Sequence, residues 1–170
     1  MLWEGSYLRV MRRGRWEYVQ RTNVTGIVCI VPVTDDGKLI LVEQYRPPVG
    51  ATVFELPAGL VGDLPGEADE LLAAAARREL LEETGYRAQR MEPLFEGAPS
   101  AGLSDEHITF FVATGLEKVA LGGGDESEDI AVHEVPLDDV FAWLRARQDA
   151  GAVLDAKIFS PLYVYLQRGR

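Results

Sequence analysis

Strands on either side of one long alanine-rich helix, with two more helices closing the chain, predict a protein of the α/β (α+β) class. The expected architecture is an α/β/α sandwich on a mixed sheet, preceded by a small β-hairpin. Three observations carry this. Gly26-Ile27-Val28-Cys29-Ile30-Val31-Pro32-Val33 is a near-continuous apolar run, the pattern of a strand buried on both faces. Residues 68–84 are helical in character, and Ala73 to Ala76 give that helix a face small enough to approach a sheet closely. Strands, helix, strands and helices then follow in that order, which fits helical layers on a mixed sheet.

In chain order, residues 10–20 form an antiparallel hairpin turning at Arg13-Gly14-Arg15. The apolar run at 26–33 is the first core strand. Asp35-Asp36-Gly37 is a hairpin turn, and residues 38–45 return as the partner strand. Pro47, Pro48 and Gly50 interrupt the chain before a short strand over 52–56, which ends in a Pro57-Ala58-Gly59 turn. The helix over 68–84 stops at Gly85, placed as a C′ glycine. Strands are expected over 88–96, 107–114 and 130–135, with a loop at 98–106 and an acidic, glycine-rich loop at 122–129. Helices over 137–150 and 155–167 follow, the first signalled by Pro136. The chain divides into an N-terminal hairpin segment, 1–22, and one domain, 23–170, without repeats or a linker.

At 170 residues the chain is long enough for one substantial core. Its 47% hydrophobic and 26% charged content is that of a soluble globular domain. No apolar run approaches 18 residues, so no transmembrane helix is expected. The basic N-terminus lacks the apolar core of a signal peptide. A lone cysteine, Cys29, sits in an apolar run and reads as a small buried hydrophobe. A cytoplasmic location is the expectation. The formal net charge of −10 argues against nucleic-acid binding, which leans on Lys and Arg. An acidic protein that handles an anionic substrate needs cations at its site.

The stretch Arg77-Arg78-Glu79-Leu80-Leu81-Glu82-Glu83-Thr84-Gly85-Tyr86 supplies a place for them. Glu79, Glu82 and Glu83 stand at i, i+3 and i+4, on one helix face. Like charges at this spacing weaken a helix by a few tenths of a kcal/mol per pair, and they lie near the C-terminus, where the macrodipole disfavours them. Hard divalent cations such as Mg²⁺ would relieve the conflict. A solvated acidic face paired to Arg77 and Arg78 is the plainer alternative.

From Arg78 to Tyr86 the chain resembles, at every fixed position, the R-E-U-x-E-E-x-G-U half of the Nudix hydrolase signature, where U is apolar. Upstream, Phe54-Glu55-Leu56-Pro57-Ala58-Gly59 resembles the segment that leads into that signature. The first half departs from the pattern. Leu64 stands where a glycine is usual, and Gly66-Glu67 replaces the Gly-Glu pair, so the loop before the helix is read as enlarged by a few residues. Either Glu67 or Glu70 then takes the upstream glutamate's role.

The chain is most similar to the ADP-ribose pyrophosphatase branch of that family. Trp16-Glu17 with Arg21, Glu43-Gln44-Tyr45-Arg46-Pro47-Pro48, and Ser100-Ala101-Gly102-Leu103-Ser104-Asp105-Glu106 carry that likeness. Ala101 stands where the branch often has proline. The resemblance implies an α/β/α sandwich, and a homodimer with the N-terminal segment crossing to its partner. It implies Mg²⁺, with Mn²⁺ or another divalent cation as alternatives, held by Glu79, Glu82, Glu83 and the Ala58 carbonyl. Glu128, Glu82 and Arg78 form the implied catalytic set, with Glu126 as the alternative to Glu128. Trp16, Arg21, Arg46 and Ser104 would bind a nucleotide substrate. His107 and His133 match no site of the family and read as strand residues. The implied activity is hydrolysis of ADP-ribose. Alternatives are another nucleotide sugar, a dinucleotide, a nucleoside triphosphate, or a non-catalytic nucleotide sensor.

Overall fold

The computed structural model describes residues 1–62, 71–124 and 129–168. The chain opens with β1 (Trp3–Glu4), β2 (Leu8–Arg13) and β3 (Trp16–Arg21), a three-stranded antiparallel sheet. The expected hairpin is present and turns at Gly14, whose φ of 62° suits glycine. The added strand β1 sets Trp3 opposite Val10.

Next come β4 (Gly26–Pro32), β5 (Lys38–Arg46), β6 (Ala51–Glu55) and β7 (Ala58–Val61), then the helix α1 (Leu72–Thr84). Strands β8 (Tyr86–Gly97), β9 (Ile108–Lys118) and β10 (Ile130–Pro136) follow. The chain continues through α2 (Val140–Asp149), the short β11 (Val153–Leu154), a 3₁₀ turn at Ala156–Ile158 and α3 (Phe159–Gln167). Among the described residues the mixed sheet is split in two. One sheet runs β7-β4-β9-β8, the other β10-β5-β6-β11. Each contains one parallel pair, β4 with β9 and β6 with β11.

Several local expectations are corrected. β5 does not return along β4. Beyond one bridge, Val33 to Leu39, it pairs with β10 and β6, because both edges of β4 are occupied by β7 and β9. The segment expected to turn at Pro57-Ala58-Gly59 continues instead as β7, with Ala58 opposite Cys29. The helix expected from 68 begins at Leu72, since Leu71 is extended with φ −75° and ψ 140°. Likewise α2 starts at Val140, after a turn over 137–139. The strand expected at 107–114 runs on to Lys118, and His107 lies just outside it.

Helical layers cover both faces, as predicted. Ala75, Ala76 and Leu80 of α1 pack with Val28, Ile30, Ile40, Phe111 and Ala113. Val140, Leu144, Ile158 and Leu162 pack on the other face with Cys29, Val31, Leu41, Phe110 and Val112. Alternate residues of β4 and β9 therefore feed opposite cores, which is why β4 is apolar throughout and β9 is apolar from Phe110 to Ala113. No helix among the described residues is long and apolar enough to cross a membrane.

The C-terminal end of α1 is closed by glycines. Gly85 adopts φ 73° and its N–H donates to the Leu81 carbonyl at 2.8 Å. A Cβ there would lie 2.1 Å from the Ala120 carbonyl oxygen, so glycine is required. Downstream, the N–H groups of Gly123 and Gly124 donate to the carbonyls of Glu83 (2.9 Å) and Glu82 (3.1 Å). These bonds satisfy acceptors that the helix itself leaves open.

Candidate active site

The acidic helix face meets the sheet at its edge. β7 is the terminal strand of its sheet. The Ile30 N–H donates to the Pro57 carbonyl at 2.8 Å. In an antiparallel ladder the following pair, Cys29 and Ala58, then exchanges no backbone hydrogen bonds, and the amide and carbonyl of Ala58 point off the open edge. The Ala58 N–H meets a Glu83 carboxylate oxygen at 3.2 Å. Glu83 is only 3% exposed. Beside it, Gly59 lies directly under Glu79: a Cβ at position 59 would stand 1.9 Å from Glu79 Cδ.

Arg78 holds the rest of the face. One guanidinium nitrogen, Nη1, donates to Glu79 at 2.8 Å and to Glu82 at 3.2 Å, and Nη2 donates to the Leu60 carbonyl at 3.1 Å. Repulsion between the carboxylates is thus offset by an internal counter-ion, which also ties α1 to β7. Among the described residues, no three carboxylate, imidazole or thiolate groups converge as a ready-made coordination cluster.

Around this face lies a cleft of about 460 Å³, lined by Arg21, Arg46, Glu55, Ala58, Gly59, Arg78, Glu79, Glu82, Glu83, Glu106 and Lys157, among others. It brings together the residues predicted as metal ligands and three of the predicted arginines. Arg46 forms a fork with Glu55, Nε to Oε1 at 2.7 Å and Nη2 to Oε2 at 2.8 Å. Arg21 donates to Glu106 at 2.6 Å.

Trp16 and Ser104 lie next door. They line a cavity of about 380 Å³ with Arg13, Tyr18 and His107, and that cavity shares Glu106 with the cleft. Trp16 is 62% exposed. The Ser104 hydroxyl is buried and has no hydrogen-bond partner among the described residues. The N-terminal sheet is fastened to this loop by three successive residues. The Val19 N–H donates to the Leu103 carbonyl at 2.8 Å, the Gln20 amide donates to Asp105, and Arg21 donates to Glu106.

Glu128, Glu126, Glu67 and Glu70 lie outside the described residues. On either side of the segment that holds Glu126 and Glu128, Gly124 is bonded to Glu82, and the Ile130 N–H donates to the Gly123 carbonyl at 3.2 Å. The histidines stand away from the acidic face. His107 contacts Glu96, and His133 contacts Glu43 while stacking near Phe54 and Trp143. Cys29 is buried, and burial pushes its thiol well above the ordinary range.

Three cleft residues were not singled out from sequence: Glu55, Glu106 and Lys157. Glu55 carried a signal, a charge between the apolar residues Phe54 and Leu56. Lys157 carried a weaker one, a single cation in the stretch from Leu154 to Leu162. Glu106 carried one as well, as the last residue of the Ser100 to Glu106 stretch that bears the likeness to the branch.

An α/β/α sandwich whose edge strand receives an acidic helix face is the architecture of the NUDIX domain, and the model of that domain matches residues 24–156. The chain belongs to the NUDIX domain family. It is 39% identical over 136 residues to an ADP-ribose pyrophosphatase of Bacillus subtilis (strain 168), covering 78% of this chain and 67% of that protein. It is 35% identical over 144 residues to a methanol dehydrogenase activator of Bacillus methanolicus, covering 84% of this chain and 73% of that one. The crystal structure of an ADP compounds hydrolase superposes with a TM-score of 0.67 at 23% identity, covering 95% and 91% of the two chains. That likeness establishes the fold.

Proposed function

We propose that this Nudix hydrolase is of the ADP-ribose pyrophosphatase type. It cleaves the pyrophosphate link between a nucleoside 5′-phosphate and a second moiety, turning ADP-ribose and water into AMP and ribose 5-phosphate. The observation that carries this reading is the Glu79-Glu82-Glu83 face set against Ala58 and Gly59, in a cleft that also gathers Arg21, Arg46 and Arg78. The donor set of carboxylates and a main-chain carbonyl offers only oxygen, which suits Mg²⁺, with Mn²⁺ as a substitute. Glu79, Glu82, Glu83 and the Ala58 carbonyl would hold it. When bound, the metal supplies an acidic water and neutralises charge that develops on phosphate oxygens.

The protein's own groups do the rest. Arg78 sets the carboxylates of Glu79 and Glu82. The Arg46 and Arg21 guanidinium groups suit paired hydrogen bonds to phosphate oxygens, exchanging Glu55 and Glu106 for substrate. Glu128 accepts the proton of the attacking water. Trp16 offers its exposed face to the nucleobase, and the Ser104 hydroxyl takes a polar group of the nucleotide. The segment 1–22 acts as a dimerisation unit, because its exposed Trp3, Tyr7 and Trp16 form the aromatic surface common in interface cores. The protein works in the cytoplasm, without nucleic acid or membrane.

A second reading, hydrolysis of another nucleotide sugar, is favoured by Ala101, which stands in the place of the branch's usual proline. A substrate panel with Mg²⁺, its products separated by chromatography, tests both. AMP and ribose 5-phosphate from ADP-ribose, formed faster than products from any other substrate, are the expected outcome. Preference for a different nucleotide sugar would select the second reading, and no turnover of any substrate would refute both.

A further inference from the structure

We propose that Lys157 binds the distal phosphate of the substrate, the one that carries the second moiety rather than the nucleoside. This rests on the pyrophosphatase reading above. Among the described residues, four cationic side chains line the cleft. Arg21, Arg46 and Arg78 each bond to a carboxylate that also lines it, Glu106, Glu55 and the Glu79–Glu82 pair respectively. Lys157 differs. Its ammonium pairs at 2.5 Å with Asp155, which does not line the cleft. Asp155 therefore holds the ammonium from outside the lining, so a phosphate in the cleft can join it as a second anionic partner without displacing a carboxylate of the wall.

The position of Lys157 is fixed by the fold. β11 runs parallel to β6, with Leu154 opposite Phe54, and the Asp155 N–H donates to the Phe54 carbonyl at 2.9 Å. The Asp155 side chain then caps the 3₁₀ turn by accepting the Lys157 N–H at 2.9 Å. Ile158, fully buried, anchors the other side. These contacts deliver the lysine beside Glu55, the neighbour of Phe54. A preset cation loses less freedom on binding than a mobile one.

Which phosphate it meets follows from its neighbours. Lys157 and Pro99 are shared between the cleft and a smaller cavity of about 190 Å³, walled also by Phe95, Phe110 and Ser160. Lys157 does not line the cavity of Trp16 and Ser104. With the nucleobase at Trp16, the ammonium serves the other half of the molecule, and the smaller cavity receives that half's organic group.

The test compares wild type with Lys157→Met and Lys157→Arg. Calorimetry in Mg²⁺-free buffer measures binding of ADP-ribose, ribose 5-phosphate, inorganic pyrophosphate and AMP, and kinetics with Mg²⁺ run alongside. Lys157→Met is expected to weaken ADP-ribose, pyrophosphate and ribose 5-phosphate roughly tenfold, one decade in Kd. AMP should change less than twofold, and the melting temperature should hold, because a partly exposed ion pair contributes little. Lys157→Arg should recover most of the loss. Equal weakening of AMP and ribose 5-phosphate would overturn the assignment to the distal phosphate. Unchanged binding in Lys157→Met, with wild-type turnover intact, would overturn the inference alone. Failure of the wild type to bind any of the four without metal would overturn the inference alone, and failure to turn over ADP-ribose with Mg²⁺ would overturn it together with the pyrophosphatase reading.

Discussion

Replacing Gly59 with alanine separates the acidic site from the fold that carries it. The added Cβ would lie 1.9 Å from Glu79 Cδ, 2.1 Å from Oε1 and 2.4 Å from Cγ, where ordinary contact begins near 3.4 Å. The backbone has nothing to resist, because Gly59 does not use a positive φ. The three nearest atoms all belong to one side chain, Glu79. Glu79 must therefore retreat by about 1.5 Å, losing its 2.8 Å bond to Arg78. An off-rotamer side chain costs about 0.5–1.5 kcal/mol. With the weakened ion pair, the loss of stability should be about 1–2 kcal/mol, a fall in Tm of about 2–8 °C for a domain of this size. Activity should suffer far more, since misplacement of about 1 Å at a catalytic centre can cost a hundredfold. Calorimetric melting beside kcat/KM for ADP-ribose makes the comparison. Adding Glu79→Ala to the variant should restore most of the Tm and none of the activity. Wild-type kcat/KM in Gly59→Ala would refute the reasoning, because Glu79 would then have no part in turnover. A Tm that Glu79→Ala fails to restore would show that the glycine serves something other than the approach of this carboxylate.

Glu83→Gln keeps an oxygen for the Ala58 N–H, so Tm should hold while kcat falls by orders of magnitude; lost stability with full activity per folded molecule would make Glu83 structural. Trp16→Ala should raise KM for ADP-ribose roughly tenfold, since stacking a base on an aromatic ring is worth about 1–3 kcal/mol, with kcat less affected; light scattering should show a dimer, and a fully active monomer would sink the interface. Tyr86→Phe removes the hydroxyl that donates to Glu134 at 2.5 Å. That bond, followed by Lys38, holds the Glu134 carboxyl below its ordinary value of 4.5, while burial and then Glu134 push the Tyr86 hydroxyl up to about 12. A depressed carboxyl contributes stability that is present above pH 4.5 and is lost as pH falls through its lowered value. The Tm gap between wild type and Tyr86→Phe, about 2–4 °C at pH 7 for a hydrogen bond of about 1 kcal/mol, should therefore close in acid; a gap that does not change with pH would refute the linkage.

The two-faced burial of β4 was legible because no polar residue interrupts 26–33, and the glutamate face was legible because helical spacing is local. Strand partnership was not. The turn at Asp35-Asp36-Gly37 was sound chemistry, yet the strand after it pairs elsewhere, because competition for the edges of β4 is settled by segments far away in sequence. β7 was hidden behind a Pro-Ala-Gly string that reads locally as a turn, and its identity as an edge strand emerges only from its pairing with β4. β11 is too short to have a period. Within the site, Arg78 was seen as a helix neighbour of the glutamates, but its bond to the Leu60 carbonyl crosses 18 positions. Lys157 reaches the cleft only because β11 runs beside β6.

Arg78 gives the acidic face a counter-ion of its own, one positive charge shared between Glu79 and Glu82. The protein folds around carboxylates that already carry a counter-ion, unlike small zinc modules whose folding waits for metal. Arrival of a divalent cation is then an exchange of one positive partner for another. Its apparent affinity is the difference between two attractions, and the arginine released from Glu79 and Glu82 remains tethered to Leu60, within the same cleft as the incoming phosphates.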